Sequence, residues 1–393
     1  MKMNAYQGDK SQLRVLFWGT YDLGKPRVRL LLRGLKAHGI ETYQIHGDVW
    51  QGIEDKSQVK GIVRKLGIGA RWLFSYPGLL WRYFHAPTHD VVVIGYLGLA
   101  DILVIWPFAR LMRKPILLDA FLSMYNTVVE DRRIVAKSNP VAKLLWFVEW
   151  LGCHAADHLI TDTRAHGQYF IDTYNLRPEK VGTVLVGVEP EAFYRDDECP
   201  NTGAARGTNR LKVLFYGQFI PLHGIETIIE AARICHDSGI EWRLIGRGQE
   251  ADRILRMLEQ GPVSNLSWLE WVPYEDLVTE IAKADICLGI FGRSEKAARV
   301  IPNKVFQILA ANKPLITADT PAIRELLSEQ NYLALVPPAD PEALCKAVKK
   351  MAERIRDGNP SDVQLSTHSG YMPQDIGENL AKQLRAAMTD RHP

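Results

Sequence analysis

The chain has 393 residues, of which 47% are apolar and 24% are charged, and its formal net charge is +3 at neutral pH. This composition excludes an intrinsically disordered chain, and the small net charge gives no support for nucleic-acid binding. The length exceeds what one ordinary hydrophobic core occupies, so two domains are expected. No uninterrupted apolar run reaches the roughly 18 residues of a membrane span, and residues 1–12 lack the apolar segment of a signal peptide.

The cysteines are few and scattered, at Cys153, Cys199, Cys235, Cys287 and Cys345. No Cys-x-x-Cys pair occurs, so neither a disulfide framework nor a zinc site is predicted, and a reduced, cytoplasmic setting fits best. The sequence also contains no Asp-x-Asp pair and no histidine cluster, which predicts a site that works without a metal ion.

Residues 13–45 read as strand, glycine-containing loop, helix, glycine cap and strand. This order is a βαβ unit and predicts the start of a parallel sheet. The loop over 19–27 follows the carboxyl end of the first strand, which is the edge where open α/β sheets bind ligands. Gly24 and Lys25 are therefore candidate ligand-binding residues; a plain connection is the alternative interpretation.

Residues 60–84 form a basic, aromatic and leucine-rich stretch that contains no acidic residue. The stretch is too short and too charged to cross a membrane, and its profile is typical of a segment that lies on an anionic membrane surface. The alternative is a core helix whose Lys and Arg side chains extend to solvent. The tryptophan-rich stretch over 144–151 is interpreted instead as an ordinary buried helix.

Asp119 ends the predicted strand over 114–119 and faces the ligand-binding edge of the sheet. A carboxylate at that position suits proton transfer or hydrogen bonding to sugar hydroxyls. The alternative is an aspartate that only caps the following turn.

A polar stretch that begins at Arg195 predicts a linker between two domains. The predicted units are an N-terminal domain over 11–195, a linker over 196–209, a C-terminal domain over 210–360 and a tail over 361–393. The tail contains a last helix that is expected to pack back toward the N-terminal domain.

The strand–helix pattern restarts in the second half, where two successive strands end in glycines. The first strand ends at Gly217, and the helix after its loop opens at Gly224. The second ends in the Gly246-Arg-Gly248 turn, where glycine lets a backbone approach a ligand closely. A single Gly-x-Gly is a weak signal, whereas two such strands in succession carry more weight.

Residues 289–319 read as the end of a buried strand, a loop, a helix that begins near Pro302, and a second strand. A helix N-terminus that follows a strand offers N–H groups and a positive dipole end to a phosphate. Lys304 lies in that first turn, where a cation opposes the dipole, and an anion bound between them would remove the conflict. The alternative is a solvated lysine on an ordinary connection.

Four groups of residues together resemble the glycosyltransferases of the GT-B fold, and the retaining family-4-like group in particular. The groups are Ala156-Asp157 to Ile160 with Val184 to Glu189 and Phe193; Tyr216 to Gln218 with His223-Gly224; Leu244 to Gly248; and Ala284 to Leu288 with Pro302 to Gln307 and Ala311 to Ile316. Each group is weak alone, but their order and spacing together are specific, and the resemblance covers nearly the whole chain.

The family's pair of glutamates, which are separated by seven residues, falls here on Arg299 and Gln307. In the family the second glutamate holds the donor ribose, and Gln307 can still hydrogen-bond there. The first glutamate usually touches the transferred sugar, which Arg299 cannot do in the same way, and Glu295 is the nearby acid that could replace it.

The family's Arg and Lys on the phosphate loop are replaced by Gln218 and His223. The candidates for the missing positive charge are Lys304, Arg299, Arg293 and Arg247. These departures leave open a donor that is handled differently or a protein with weak activity.

The resemblance implies an α/β protein of the GT-B class, with two Rossmann-like doubly wound domains that face each other across a cleft. It implies transfer of a sugar, with retained anomeric configuration, from a nucleotide-diphosphate sugar to a glycan or lipid-linked acceptor. No cofactor or metal ion is expected, because cations and helix ends would neutralise the leaving diphosphate. Together with residues 60–84, it implies polysaccharide or glycolipid synthesis on the cytoplasmic face of a membrane.

The predicted site residues form three groups. The catalytic candidates are Asp119, as a general base, and Glu295. The donor-binding candidates are Gly217, Gln218, His223, Gly224, Gly246, Gly248, Val272, Pro273, Arg299, Asn303, Lys304 and Gln307, with Gly24 and Lys25 on the acceptor side. Two other functions remain open: a catalytically weak GT-B partner subunit, favoured by the altered positions, and a sugar-nucleotide 2-epimerase, which the membrane-like segment disfavours.

Overall fold

The computed structural model describes residues 13–49, 62–193, 210–236, 238–357 and 370–389. The predicted linker over 196–209 lies outside the described residues, as do Lys60 and residues 361–369 of the predicted tail.

The first half of the chain forms a six-stranded sheet in which every strand pair is parallel. Its strands are β1 (Arg14–Gly19), β2 (Glu41–His46), β3 (Val91–Ile94), β4 (Ile116–Asp119), β5 (His158–Thr161) and β6 (Val181–Thr183). They lie in the order β2-β1-β3-β4-β5-β6. Every residue of β3, β4 and β5 is buried, as expected for strands covered by helices on both faces.

The second half forms a second six-stranded parallel sheet. Its strands are β7 (Leu211–Tyr216), β8 (Ile240–Ile245), β9 (Leu266–Leu269), β10 (Ile286–Leu288), β11 (Leu315–Ala318) and β12 (Leu333–Val336). Their order is β12-β11-β10-β7-β8-β9, so the strand order reverses between β7 and β10. Open α/β sheets bind ligands in the crevice at such a switch point, outside the carboxyl ends of the strands.

Helices cover both faces of each sheet. The N-terminal helices are α1 (Pro26–Ala37), α2 (Ile62–Phe84), α3 (Leu99–Leu111), a π-helix (Asn126–Asp131), α4 (Pro140–Ala155), α5 (Arg164–Tyr174) and α6 (Pro190–Phe193). The C-terminal helices are α7 (Ile225–Ile234), α8 (Ala251–Gln260), α9 (Tyr274–Lys283), α10 (Glu295–Arg299), α11 (Asn303–Ala310), α12 (Pro341–Asp357) and α13 (Pro373–Thr389). Short 3-10 turns lie at Pro178–Lys180, Pro221–His223 and Ile323–Glu325.

The two faces of the N-terminal sheet have separate cores. On one face α1 and α13 pack together over strand residues such as Phe17 and Val93. On the other face α2, α3, α4 and α5 cover strand residues such as Leu16 and Trp18. Where α1 meets α13, a Cβ on Gly34 would lie 2.6 Å from the Gly377 nitrogen, so the close helix contact requires glycine at residue 34.

Two sequence predictions about the helices are wrong. Cys235 on α7 and Cys345 on α12 form a disulfide, with Cα atoms 5.9 Å apart, although the sequence predicted no pairing. The stretch over 144–151 lies within α4 but is not buried all round, because Leu144 and Phe147 are exposed. Since α4 is apolar on most sides, its sequence periodicity does not show which side faces the core.

None of the helices in the described residues combines the length and the apolar character that crossing a bilayer requires.

Candidate active site

Two loops meet at the switch point of the C-terminal sheet. They are the loop after β7, over 217–224, and the loop after β10, over 289–294. Two backbone hydrogen bonds join them: the Phe291 N–H donates to the His223 oxygen over 3.1 Å, and the Gly292 N–H donates to the Leu222 oxygen over 3.2 Å. Gly224 has a positive φ of 66°, and a Cβ there would lie 2.5 Å from the Phe291 carbonyl carbon. Gly224 is therefore required by the contact between the two loops.

Lys304 lies in the first turn of α11, and its side chain is buried rather than solvated. The residue is 5% exposed, and its Nζ lies 3.7 Å from the centre of the Phe215 ring. That Nζ has no hydrogen-bond partner among the described residues. Burial lowers the pKa of the ammonium well below its usual value. An unpaired cation at this depth is costly, and an anion beside it would offset the cost.

Gly217 lies directly beside that ammonium. Its φ is 140°, and a Cβ at Gly217 would lie 2.8 Å from Lys304 Nζ and 3.2 Å from the His223 ring. Any side chain there would crowd the buried cation. The first turn of α11 and the glycine turn after β7 therefore lie side by side. The phosphate site predicted from these two features stays a prediction.

Gly246 and Gly248 have a packing role that differs from the one predicted. A Cβ on Gly246 would lie 1.8 Å from the Gly217 oxygen, and one on Gly248 would lie 2.7 Å from the Phe219 oxygen. The close backbone approach that needs glycine is made by the loop after β7. These two residues pack against the loop after β7, and the exposed Arg247 lies between them.

The His223 side chain points into the loop to which it belongs, the loop after β7. The residue is buried, and its Nδ1 hydrogen-bonds to the Gln218 carbonyl oxygen. Burial and the nearby Lys304 lower the pKa of His223 well below its usual range, so the ring is neutral. His223 holds the shape of the loop, while the side chain of Gln218 is exposed at its outer edge.

Gln307 and Asn303 lie along the same side of α11. Asn303 is the first residue of the helix and is half-buried. The Tyr216 hydroxyl donates to Gln307 Oε1 over 3.1 Å and lies 3.3 Å from the Lys304 carbonyl oxygen. The Gln307 amide group still has an NH₂ to offer a ligand.

Arg299 and Glu295 lie one turn apart on α10 and pair with each other. The Arg299 guanidinium stacks over the ring of Tyr169 on α5, 4.4 Å from its centre, and Arg299 Nη1 is buried without a hydrogen-bond partner among the described residues. Glu295 is exposed. The two residues therefore lie where the N-terminal domain meets the segment after β10.

Further contacts between the domains surround this region. Lys296 Nζ donates to Thr127 Oγ1 over 2.8 Å and lies 3.6 Å from Asp131 Oδ2. The Glu325 carboxylate accepts hydrogen bonds of 2.8 Å from the first two N–H groups of α5 and so caps that helix from the other domain. These contacts close one side of the interdomain cleft.

Asp119 does not face the cleft as predicted. It is 3% exposed, and its carboxylate accepts hydrogen bonds from Arg27 Nε, 3.2 Å to each oxygen, and Arg27 Nη2, 2.9 Å. Arg27 Nη1 donates to the carbonyl oxygens of Val184 and Leu185 over 2.6 and 2.9 Å. Burial raises the pKa of Asp119, and Arg27 opposes this. The carboxylate therefore links β4 to α1, and both of its oxygens are hydrogen-bonded to Arg27.

The remaining predicted residues lie at the rims of the two domains. Gly24 and Lys25 are exposed in the turn before α1, where the Gly24 N–H donates to Asp22 Oδ1 over 2.8 Å. Val272 and Pro273 follow β9, and Pro273 caps the start of α9. Since β9 lies two strands from β7, a base there would be at the outer side of the sheet's carboxyl edge.

Sequence reasoning missed the acids of the π-helix. Glu130 and Asp131 line a cavity between the domains together with Glu295 and Lys296. Consecutive acids beside basic residues resemble an ordinary polar turn, so the sequence carried no signal for them. Within the described part of the chain, no group of three or more His, Cys, Asp or Glu side chains is placed to hold a metal ion.

Comparison with known sequences matches part of the chain. Residues 210–354 match the protein-family model described as Glycosyl transferases group 1. The chain is 24% identical over 168 residues to the Probable glycosyltransferase WbjE of Pseudomonas aeruginosa, and 22% identical over 187 residues to the Amylovoran biosynthesis glycosyltransferase AmsK of Erwinia amylovora. These matches span 40% and 46% of this chain, and 40% and 44% of the two relatives, so less than half of each relative is covered.

The fold matches over almost the whole chain. The crystal structure of Anabaena Alr3699/HepE in complex with UDP is similar with a TM-score of 0.65 at 13% identity, over 95% of this chain and 100% of that one. Two parallel six-stranded sheets with flanking helices are the GT-B architecture, and the predicted α/β GT-B class is confirmed.

Proposed function

We propose that the chain is a glycosyltransferase that moves a sugar from a nucleotide-diphosphate sugar to a glycan or lipid-linked acceptor. The observation that carries this proposal is the buried ammonium of Lys304, which has no hydrogen-bond partner in the described residues, at the switch point beneath Gly217. A diphosphate is the anion that suits a buried cation, a helix N-terminus and a glycine turn together. The Glycosyl transferases group 1 match over the same domain supports it.

The chemistry assigned to these residues is stabilisation of a leaving group. As the bond from the sugar to the diphosphate breaks, negative charge grows on the diphosphate, and fixed positive groups lower that barrier. The proposal assigns this task to Lys304 and the start of α11. Glu295, which lines the cavity between the domains, is assigned to the hydroxyls of the transferred sugar. The proposal includes retained anomeric configuration and independence of metal ions, which product NMR and an assay in EDTA would check.

Nucleoside diphosphates are expected to stabilise the protein. A ligand at 100 times its Kd adds about 2.7 kcal/mol to the free energy of unfolding, so UDP, ADP or GDP should raise the Tm. UMP should raise it less, because it lacks the second phosphate. The measurement is a thermal-unfolding series with each nucleotide, followed by hydrolysis assays with nucleotide sugars.

Two outcomes of that series are informative. If no nucleoside diphosphate raises the Tm, the proposed function is wrong. If one binds but no nucleotide sugar is hydrolysed or transferred, the chain is the alternative, a GT-B subunit that binds a donor for a partner.

The proposal also places the N-terminal domain on an anionic membrane surface, as expected for polysaccharide or glycolipid synthesis. One side of α2 is tied to the core, since Trp72 Nε1 donates to Thr20 Oγ1 over 2.6 Å and the Tyr76 hydroxyl donates to Asp101 over 2.9 Å. The opposite side carries Phe74 and Trp81, which are 79% and 65% exposed. The side chains of residues 62–66 lie outside what the structure describes.

Helices α3 and α4 extend this apolar surface. Both cover the same face of the sheet as α2, so their outer sides point the same way. The Phe84 ring of α2 contacts the Phe108 ring of α3 edge-on, at 5.5 Å. The exposed apolar residues on these helices are Leu73, Phe74, Trp81, Phe84, Trp106, Leu111, Val141, Leu144 and Phe147. The exposed basic residues are Arg71, Arg82, Arg110 and Lys143. Such a mixture favours a bilayer with anionic headgroups.

The double variant Phe74→Ser, Trp81→Ser is expected to lose most binding to vesicles of phosphatidylcholine and phosphatidylglycerol. Each ring buried in a bilayer contributes roughly 1.5–3 kcal/mol, so the partition constant should fall at least tenfold. The measurement is flotation with vesicles that do or do not contain phosphatidylglycerol. Trp271→Ser, an equally exposed tryptophan on the other domain, is the matched control and should float like the wild type. Equal flotation of the double variant would remove the membrane from the proposal.

A further inference from the structure

A cavity of about 670 Å³ lies between the two domains, beside the loop after β10. Residues of the π-helix and the segment after it, over 126–137, form its N-terminal-domain wall. Residues 293–296 form the wall on the other domain. The cavity is therefore complete only where the two domains meet, and it is large enough for a sugar unit and its substituents.

Asp131 forms a buried acceptor in this cavity. Its side chain is 2% exposed, and its Oδ2 lies 3.6 Å from Lys296 Nζ. Its Oδ1 is buried and makes no hydrogen bond to any described residue. Leaving a buried carboxylate oxygen unpaired is costly, so the site is suited to a ligand that donates a hydrogen bond. The hydroxyl of a sugar is such a donor.

The carboxylate oxygens of the neighbouring acid, Glu130, already accept hydrogen bonds from other residues. Its oxygens accept from Asn126 Nδ2 over 2.8 Å, from the Tyr169 hydroxyl over 3.1 Å and from Lys137 Nζ over 3.2 Å. Glu130 thus holds the wall of the cavity in place, and Asp131 is the acid with an oxygen left for a ligand.

Two arginines line the cavity from opposite walls. Arg133 belongs to the N-terminal domain and Arg293 to the C-terminal domain, and both line the cavity and are exposed. Within the described residues neither forms an ion pair with a carboxylate, in contrast to Lys137, Lys296 and Arg299 nearby. Two cations that face one cavity from both domains suit a single anionic group held between them.

We propose that this cavity binds the acceptor and that the acceptor carries an anionic group close to the sugar that receives the new linkage. A hydroxyl of that sugar donates to Asp131 Oδ1, and the anionic group, a sugar carboxylate or a phosphate, lies between Arg133 and Arg293. This inference rests on the proposed function and deepens it by naming the acceptor's charge.

The test is ligand-observed NMR titration in the presence of UDP, with glucuronate, glucose 6-phosphate and glucose as probes. The two anionic sugars should bind the wild type roughly tenfold more tightly than glucose, and Arg133→Gln or Arg293→Gln should remove that preference. Asp131→Asn should weaken all three probes. Lys36→Gln, an exposed cation on α1, is the matched control and should change nothing. Tighter binding of glucose 6-phosphate or of glucuronate identifies the phosphate or the carboxylate as the natural group, and either result supports the proposal.

Three results would overturn it or separate it from the proposed function. Equal binding of glucose and the anionic sugars by the wild type contradicts the anionic acceptor. A loss of UDP affinity, measured by calorimetry, in Arg293→Gln and Asp131→Asn assigns the cavity to the donor and so contradicts the proposal. If UDP does not bind the wild type, but glucuronate still binds in an Arg133-dependent way, the acidic-sugar site stands and the transferase function fails.

Discussion

Replacing Lys304 by methionine is expected to lower turnover ~10- to 1000-fold, because the variant removes a fixed cation from the leaving diphosphate. The same change should leave the ligand-free protein as stable as the wild type or more stable. Methionine has a similar shape, and it removes an ammonium that is buried without a hydrogen-bond partner among the described residues. Loss of activity without loss of stability is the result expected of a site that is completed by its ligand.

Lys313 provides the matched control at the other end of the same segment. Its Nζ donates to the carbonyl oxygens of Ala282 and Ala284 over 2.6 and 3.1 Å, so this lysine is already satisfied by the protein. Lys313→Met should lower the free energy of unfolding by ~1–3 kcal/mol and leave turnover unchanged. The measurements are initial rates with the best donor and urea unfolding of both variants. Unchanged turnover in Lys304→Met would remove Lys304 from the site.

The pH dependence of nucleotide binding gives an independent check. Burial lowers the pKa of Lys304 in the free protein, and a bound diphosphate raises it again. Binding above the lowered pKa must therefore take up a proton, and UDP affinity should weaken as pH rises. Between about pH 7 and 9 the phosphates of UDP are already ionised, so their titration does not interfere. Calorimetry in buffers of different ionisation enthalpy should show proton uptake by the wild type and much less by Lys304→Met.

The parts of the fold that could be predicted from the sequence depend on local chemistry. Short apolar runs such as 91–94 and 116–119 predict buried parallel strands, because helices cover both faces of the sheet. Glycine after β7 and a lysine after Pro302 predict an anion site from residues that are close along the chain. Lys304 was predicted as a site residue in this way, although only the structure reveals that its side chain is buried.

The parts that could not be predicted depend on contacts between distant residues. Arg27 lies 92 residues before Asp119, and nothing near Asp119 in the sequence indicates that its carboxylate pairs with an arginine. Cys235 and Cys345 are 110 residues apart and belong to no spacing motif. Gly246 looked like a ligand-binding glycine because the sequence cannot show that the Gly217 carbonyl lies against it. The Asp131 cavity needs walls from both domains, so neither half of the sequence contains it.

Removing the buried carboxylate of Asp119 is expected to have the largest effect on stability. Asp119→Ala should lower the free energy of unfolding by ~3–5 kcal/mol, because it leaves the Arg27 guanidinium buried without its partner. Such a loss is a large part of the roughly 5–15 kcal/mol that stabilises an ordinary domain. Urea unfolding measures it. The control is Arg33→Ala on α1, the helix that carries Arg27. The partner of Arg33, Glu191, is exposed, and an exposed pair of this kind contributes about 0–1 kcal/mol.

Activity of the isosteric variant Asp119→Asn then separates structure from catalysis. Since the native carboxylate is bound by Arg27 on both oxygens, turnover of the folded variant at low temperature should stay within about threefold of the wild type. A general base would instead contribute roughly 100-fold or more. A fall of that size in a variant that is still folded, by circular dichroism and by its response to UDP, would restore the catalytic role predicted from the sequence. It would also require the Arg27–Asp119 pair to open when the substrates bind.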